Sequence, residues 1–160
     1  MLWLYLLAIV TCLVIALRRV LRRLTPLDDE LYSKKVAIEY VYTGVAWVDA
    51  EGRVGSINPA LERSLGLEQS RLKGRNWLDI FVPTERDRVR EAFSQMLLAG
   101  KTSLEARGLR ADGRFARFDI LLVAVHDHKM RFVGHHVLAE DRTRERELEE
   151  RLEKLTSSFK

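Results

Sequence analysis

The sequence predicts an α+β domain, an antiparallel sheet covered by helices on one face, preceded by a transmembrane helix and followed by a short coiled-coil helix. Three patterns predict it. Apolar residues alternate in two short runs after Gly44 and in three longer runs after Gly100, the period of half-buried strands. Between them, residues 59–99 carry helix starts and helical apolar spacing. The chain opens on an uncharged apolar run and closes on a charged one. Runs of strands bracketing a run of helices put the helices on one face of a meandering sheet, with room for about five strands. A chain of 160 residues with 47% hydrophobic content holds one domain of roughly 100–150 residues plus appendages.

The first element is MLWLYLLAIVTCLVIAL, residues 1–17, which carries no charged side chain. At 1.5 Å per residue it makes roughly 25 Å of helix, and Val20 and Leu21 complete a span over 1–21 if Arg18 and Arg19 snorkel to the headgroups. A cleaved signal peptide would place positive charge before the apolar run and an A-x-A site after it. Here the charge follows and no such site occurs, so 1–21 reads as a transmembrane anchor. Arg18, Arg19, Arg22 and Arg23 then place the rest of the chain in the cytoplasm, as a single-pass protein of the cell inner membrane. The same four arginines account for the net charge of +4, so the basicity is local and nucleic acid is not an expected partner. A single cysteine, Cys12, excludes a disulfide framework and a thiolate metal cluster.

Residues 22–42 begin as a basic amphipathic stretch suited to anionic lipid heads. Thr25 and Pro26 open a helix there, with Asp28, Asp29 and Glu30 at the positive end of its dipole and Leu27, Leu31 and Ile38 free to pack.

From Gly44 the period changes to two. Val45 and Trp47, then Glu51-Gly52, then Val54 and Ile57 read as strand, tight turn, strand. Asn58 and Pro59 start a helix, the asparagine oxygen capping free N–H groups and the proline filling the first helical position, where no N–H is missed. Ala60, Leu61, Leu65 and Leu67 mark this short helix, broken at Gly66. Brief helical turns follow in EQSRLKGRNWLDIF. Pro83 and Thr84 open the longest internal helix, with Thr84 and Asp87 as a capping pair and Val89, Phe93, Met96 and Leu97 on one face until Gly100. Strands at 102–110, 115–125 and 130–139 complete the domain, joined by ADGR and HDHKM. In the middle one Phe118, Ile120, Leu122 and Ala124 share a face. The opposite face is half apolar, so Leu121 and Val123 need a cover, from the helix near Leu31 and Ile38 or from a second copy.

VAWVDAEGRVGSINPALERSLGLEQSRLKGRN has an aspartate and glycine in its hairpin, an N-x-A helix start and a later L-x-G-R. LRADGRFARFDILLVAV adds a D-G hairpin before a long strand, and LAEDRT closes on D-x-T. With these landmarks in order over 36–143, the chain resembles the PAS family. The resemblance implies a five-stranded antiparallel sheet in the order 2-1-5-4-3 with helices cupped over one face, a sensory rather than catalytic module, and dimerisation through flanking helices. The expected layout is an anchor at 1–21, an amphipathic linker helix at 22–42, a PAS domain at 43–143 and a coiled-coil helix at 144–160.

The flavin-binding light-oxygen-voltage branch is similar around GRNW but carries a cysteine directly after G-R-N, where this chain has Trp77. Cysteinyl-flavin photochemistry is therefore excluded; flavin binding without an adduct stays open, beside a packing role for Trp77. Haem-binding members ligate iron through a histidine usually on the long helix, and 84–99 has none, so haem is not expected. His126 and His128 flank Asp127 in a hairpin loop, a solvated turn rather than a metal site, and no metal is expected. His135 and His136 are strand neighbours that face opposite sides; the inward one is either a hydrogen-bonded core residue or a contact to a ligand. The candidate ligand pocket is Trp77, Phe81, Phe93, Phe118 and His136, with the cofactor unknown.

No G-x-S-x-G, Walker loop or histidine-kinase H-box occurs, so no catalytic residue and no enzymatic activity are expected. Either Asp141 or Thr143 reads as the N-cap of the following helix, worth about 1 kcal/mol. The resemblance implies a second role for Asp141, Arg142 and Thr143, as the junction that relays motion from the sheet to an output helix. In that helix Leu148, Leu152, Leu155 and Phe159 follow one another at four, three and four residues, a narrow seam for helix pairing. Glu147 with Arg151 and Glu150 with Lys154 add only about 0.2–0.5 kcal/mol per pair, and two heptads need a partner to stay folded. The expectation is a membrane-anchored cytoplasmic sensory or adaptor protein that forms a homodimer and signals to an effector protein in trans. The alternatives are a detached input region of a sensor histidine kinase or cyclase, and a dimerisation module with a filled core.

Overall fold

The structure is a computed structural model that describes residues 42–158 together with 33–34 and 36–38. Residues 33–34 and 36–38 are helical, inside the stretch expected to form the linker helix. The anchor at 1–21, Leu27 and Leu31 of the linker, and Phe159 of the seam lie outside the described residues. Among the described residues no helix is long and apolar enough to cross a membrane.

Five strands, β1 (Gly44–Asp49), β2 (Val54–Ile57), β3 (Lys101–Leu109), β4 (Phe115–His126) and β5 (Phe132–Asp141), form one antiparallel sheet in the order β2-β1-β5-β4-β3. Register follows the apolar alternation. One inner row runs Ala46, Val137, Leu122 and the next Gly44, Ala139, Ile120, so that every second residue of each strand enters the core. The β3 and β5 boundaries differ slightly from the alternation. β3 starts at Lys101 directly after Gly100, whose left-handed backbone (φ 81°) ends the preceding helix, and β5 runs to Asp141 because Phe118 still pairs with it.

The helices cover the inner face. α1 (Pro59–Leu65) is tied to β1 by Asn58, whose Oδ1 accepts from Leu61 N (3.0 Å) and Val45 N (2.9 Å) while Nδ2 donates to Thr43 O (3.0 Å). One side chain thus caps the helix and fixes its angle to the sheet. α2 (Gln69–Leu72) is held by Gln69 Oε1, which accepts from Ile57 N, and a 3-10 turn at Trp77–Ile80 is capped by Asn76. The Thr84–Asp87 capping pair does not form. Pro83–Glu85 is a 3-10 turn, α3 (Arg86–Ala99) begins after it without a side-chain cap, and Asp87 pairs with Arg90. On α3 the buried positions are Val89, Ala92 and Met96, with Phe93 partly buried; Leu97 stands 45% exposed, because it sits one residue, about 100° of helix rotation, beyond Met96.

The outer face carries two apolar cross-strand rows, Val45–Leu138–Leu121 and Trp47–His136–Val123. Trp47 lies flat between its neighbours. A Cβ on Gly134 would come 2.8 Å from the Trp47 ring and 2.2 Å from the Val48 carbonyl oxygen, and one on Gly55 would come 2.6 Å from Trp47 Cδ1. Glycine at both positions lets the indole settle onto the backbone.

Candidate functional site

The cup between sheet and helices collects aromatic side chains from the 3-10 turn and α3. Trp77 and Phe81 meet edge to face at 5.7 Å, and Trp77 and Phe93 lie 6.1 Å apart. Both Trp77 and Phe81 are buried, because the short turn holds Trp77 and Ile80 over the sheet while Asn76 and Asp79 remain in solvent. Phe118 is buried too but lies toward the β3 side, its ring over Gly108, where a Cβ would come 2.5 Å from Phe118 Cε2; Phe81 bridges to the same Gly108.

The pocket histidine is His135, not His136. His135 is fully buried on the inner face, 4.8 Å from Trp77 and 5.1 Å from Phe93 by ring centroids. His136 points to the outer face and stacks against Trp47 at 5.0 Å. Both parities of β5 are largely apolar, so alternation alone leaves the phase undecided. Glu140 on one parity, with Arg117 and Asp119 on β4, marks the outward side, and counting back from Glu140 places His136 outside.

Neither ring nitrogen of His135 has a hydrogen-bond partner among the described residues. A buried imidazole with no protein partner for either nitrogen depends on what else reaches it to offset a desolvation cost of about 1–3 kcal/mol. Burial, reinforced by the neighbouring His136 and partly offset by Asp49, pulls its pKa down to about 4, so the ring is neutral at physiological pH and presents one donor and one acceptor to the interior. Among the described residues no group of three histidine, cysteine or carboxylate side chains could hold a metal ion. His135 is thus the polar side chain that faces the Trp77 and Phe93 rings in the interior of the cup.

At the far end of the sheet, the three junction residues form one network. Asp141 Oδ2 accepts from Arg110 Nη2 at 2.7 Å, and its Oδ1 accepts from the Thr143 amide (3.0 Å) and hydroxyl (2.5 Å). Thr143 Oγ1 in turn accepts from Arg117 N at 2.9 Å, and Arg142 N donates to Arg117 O at 2.8 Å. Asp141 thus caps α4 (Thr143–Ser158) from just outside it, whereas Thr143 turns its hydroxyl back to β4 instead of capping its own helix. The Arg142 guanidinium reaches Glu140 (3.2 Å) and Glu145 (2.9 Å). Any shift of the last residues of β5 against β4 changes bonds at the first turn of α4. Beyond it Leu148, Leu152 and Leu155 are 50%, 64% and 59% exposed, an apolar seam in solvent.

A family model described as the PAS fold matches residues 41–147. Among solved structures the chain is similar to the PAS domain of a protein from Colwellia psychrerythraea, with TM-score 0.68 and 22% identity over 71% of this chain and 98% of that one. It is similar also to a PAS domain from a two-component sensor histidine kinase, with TM-score 0.61 and 15% identity over 71% and 97% of the two chains. A third likeness is to the N-terminal domain of a diguanylate cyclase with a PAS/PAC sensor from Marinobacter aquaeolei, with TM-score 0.56 and 19% identity over 64% and 98%. A search of curated protein sequences finds no match.

Proposed function

The chain belongs to the PAS family, and from that premise we propose that it is a membrane-anchored cytoplasmic sensory and adaptor protein that dimerises through α4 and relays a signal to an effector protein by contact, without catalysis. The observation that carries this reading is the Asp141–Arg142–Thr143 network, which couples the last strand to a helix whose apolar seam is half or more exposed among the described residues. A change in the cup, at His135 on β5, is six residues from Asp141 on the same strand, so strain there reaches α4 through continuous backbone. The apolar run at 1–17 and the arginines behind it support the anchor and the cytoplasmic side. The tether raises the local concentration of α4, which lets a seam of two heptads pair.

Native mass spectrometry of the detergent-extracted full chain tests the proposal. A dimer is expected, falling to monomer when Leu152→Asp puts a carboxylate into the seam, and bound small molecules appear in the same spectrum. A monomeric parent, or a dimer indifferent to Leu152→Asp, overturns the coil. A second reading, the input region of a sensor kinase or cyclase, is favoured by the likeness to PAS domains of a histidine kinase and a diguanylate cyclase. A co-purifying or genetically fused output domain would decide for it.

A further inference from the structure

α4 and Arg142, the residue before it, carry two stripes. Arg142, Arg146 and Glu150 recur every four residues, and Leu148, Leu152 and Leu155 follow at four and three. At about 100° per residue the centres of the two stripes lie roughly 150° apart, so the helix has an ionic side and an opposite apolar side.

The ionic side faces the chain's own sheet. Arg146 Nη2 reaches Glu105 of β3 at 2.9 Å, Arg117 Nη2 of β4 reaches Glu150 at 2.8 Å, and Arg142 Nε lies 3.8 Å from Asp119 of β4. The sheet has an evident need for these partners. Glu105 and Asp119 are direct cross-strand neighbours of like charge, and so are Arg107 and Arg117 one step along. Like charges placed opposite each other destabilise a strand pair unless counter-charges come from outside it. Arg142 and Arg146 supply them to the carboxylates, while Glu150 supplies Arg117 and Glu85 supplies Arg107 at 2.8 Å.

We propose that this ionic stripe is a clamp in cis: it sets the angle at which α4 leaves the outer face of β3 and β4, independently of the apolar seam that pairs in trans. The second half rests on the dimer reading above; the first does not. Because the two sides of the helix are opposed, pairing with a second copy leaves the clamp intact, and releasing the clamp leaves the pairing intact. All six clamp side chains are at least one third exposed, so the clamp is weakened by salt and by any charged partner that competes for Glu105 or Arg117. It gives the helix two positions, docked and released, without dissociation of the dimer.

The test is a distance measurement on the full chain in detergent, in a Cys12→Ser background with spin labels at Glu91→Cys on α3 and Ser157→Cys near the end of α4. Labelled chains are diluted with unlabelled ones so that only distances within a chain are read by double electron–electron resonance. A single narrow distribution is expected for the parent. Arg117→Glu should broaden it, with the docked-to-released ratio falling roughly tenfold for a pair turned from attraction to repulsion, and the charge exchange Arg117→Glu/Glu150→Arg should restore it. The dimer fraction by mass photometry should be the same in all three. A distribution in Arg117→Glu as narrow as the parent's, failure of the exchanged pair to restore it, or loss of dimer in step with release overturns the clamp. A parent that is monomeric but shows the salt-sensitive narrow distribution removes the dimer reading and retains the clamp.

Discussion

Replacing His135 with leucine should remove one component of the domain's acid sensitivity between pH 6.5 and 4. In the folded chain the pKa of His135 is drawn down to about 4, against an ordinary value of 6.5, because burial disfavours the charged ring. The sign follows directly. Above pH 6.5 the ring is neutral in both states and contributes no pH dependence; below it the unfolded chain takes up a proton that the folded chain refuses, so stability falls with pH until the folded group titrates near 4. One pKa unit corresponds to about 1.4 kcal/mol, so the full interval is worth about 3 kcal/mol. Leucine has similar bulk, no titration and no unpartnered nitrogen, so at pH 7 the variant should be as stable as the parent or slightly more so. Urea unfolding of the full chain in detergent, followed by tryptophan fluorescence at half-unit steps from pH 4 to 8, reads the difference between the two curves, in which the other titrating groups cancel. Curves of parent and His135→Leu that stay parallel below pH 6.5 would refute the reasoning and show instead that the folded chain accommodates the charged imidazole as readily as the unfolded one.

Two further substitutions probe how the sheet is assembled. Gly134→Ala puts a methyl group 2.2 Å from the Val48 carbonyl oxygen and 2.8 Å from the Trp47 ring at a backbone φ of 146°, and should destabilise the domain by about 2–4 kcal/mol in a thermal melt, with a change in Trp47 fluorescence. Asn58→Ala removes the α1 cap and leaves Val45 N and Thr43 O without their side-chain partner; a loss of about 2–3 kcal/mol and faster amide exchange at both Val45 and Leu61 are expected, whereas protection lost at Leu61 alone would mean that the helix and strand are not joined through this side chain.

The order of elements, the inner face of β4 and the helix start at Asn58 were legible from residue type and period alone, because each depends on a few neighbouring positions: alternation selects Phe118, Ile120 and Leu122, and an asparagine before a proline caps whatever helix follows. The D-x-T landmark likewise marked where β5 ends and α4 begins. What periodicity supplies is relative phase. On β5 both phases are largely apolar and only Glu140 near its end hints at the outward one; pairing with β1 and β4 sets His135 inside and His136 onto Trp47. The ionic side of α4 was beyond the reach of any window along the chain, since Arg146 and Glu105 are 41 positions apart and meet only once β3, β4 and β5 are laid side by side. Local chemistry determines which segments form and which sides are apolar; long-range geometry decides which polar group each charge finds, because electrostatic contacts are made across space between elements that the chain brings together last.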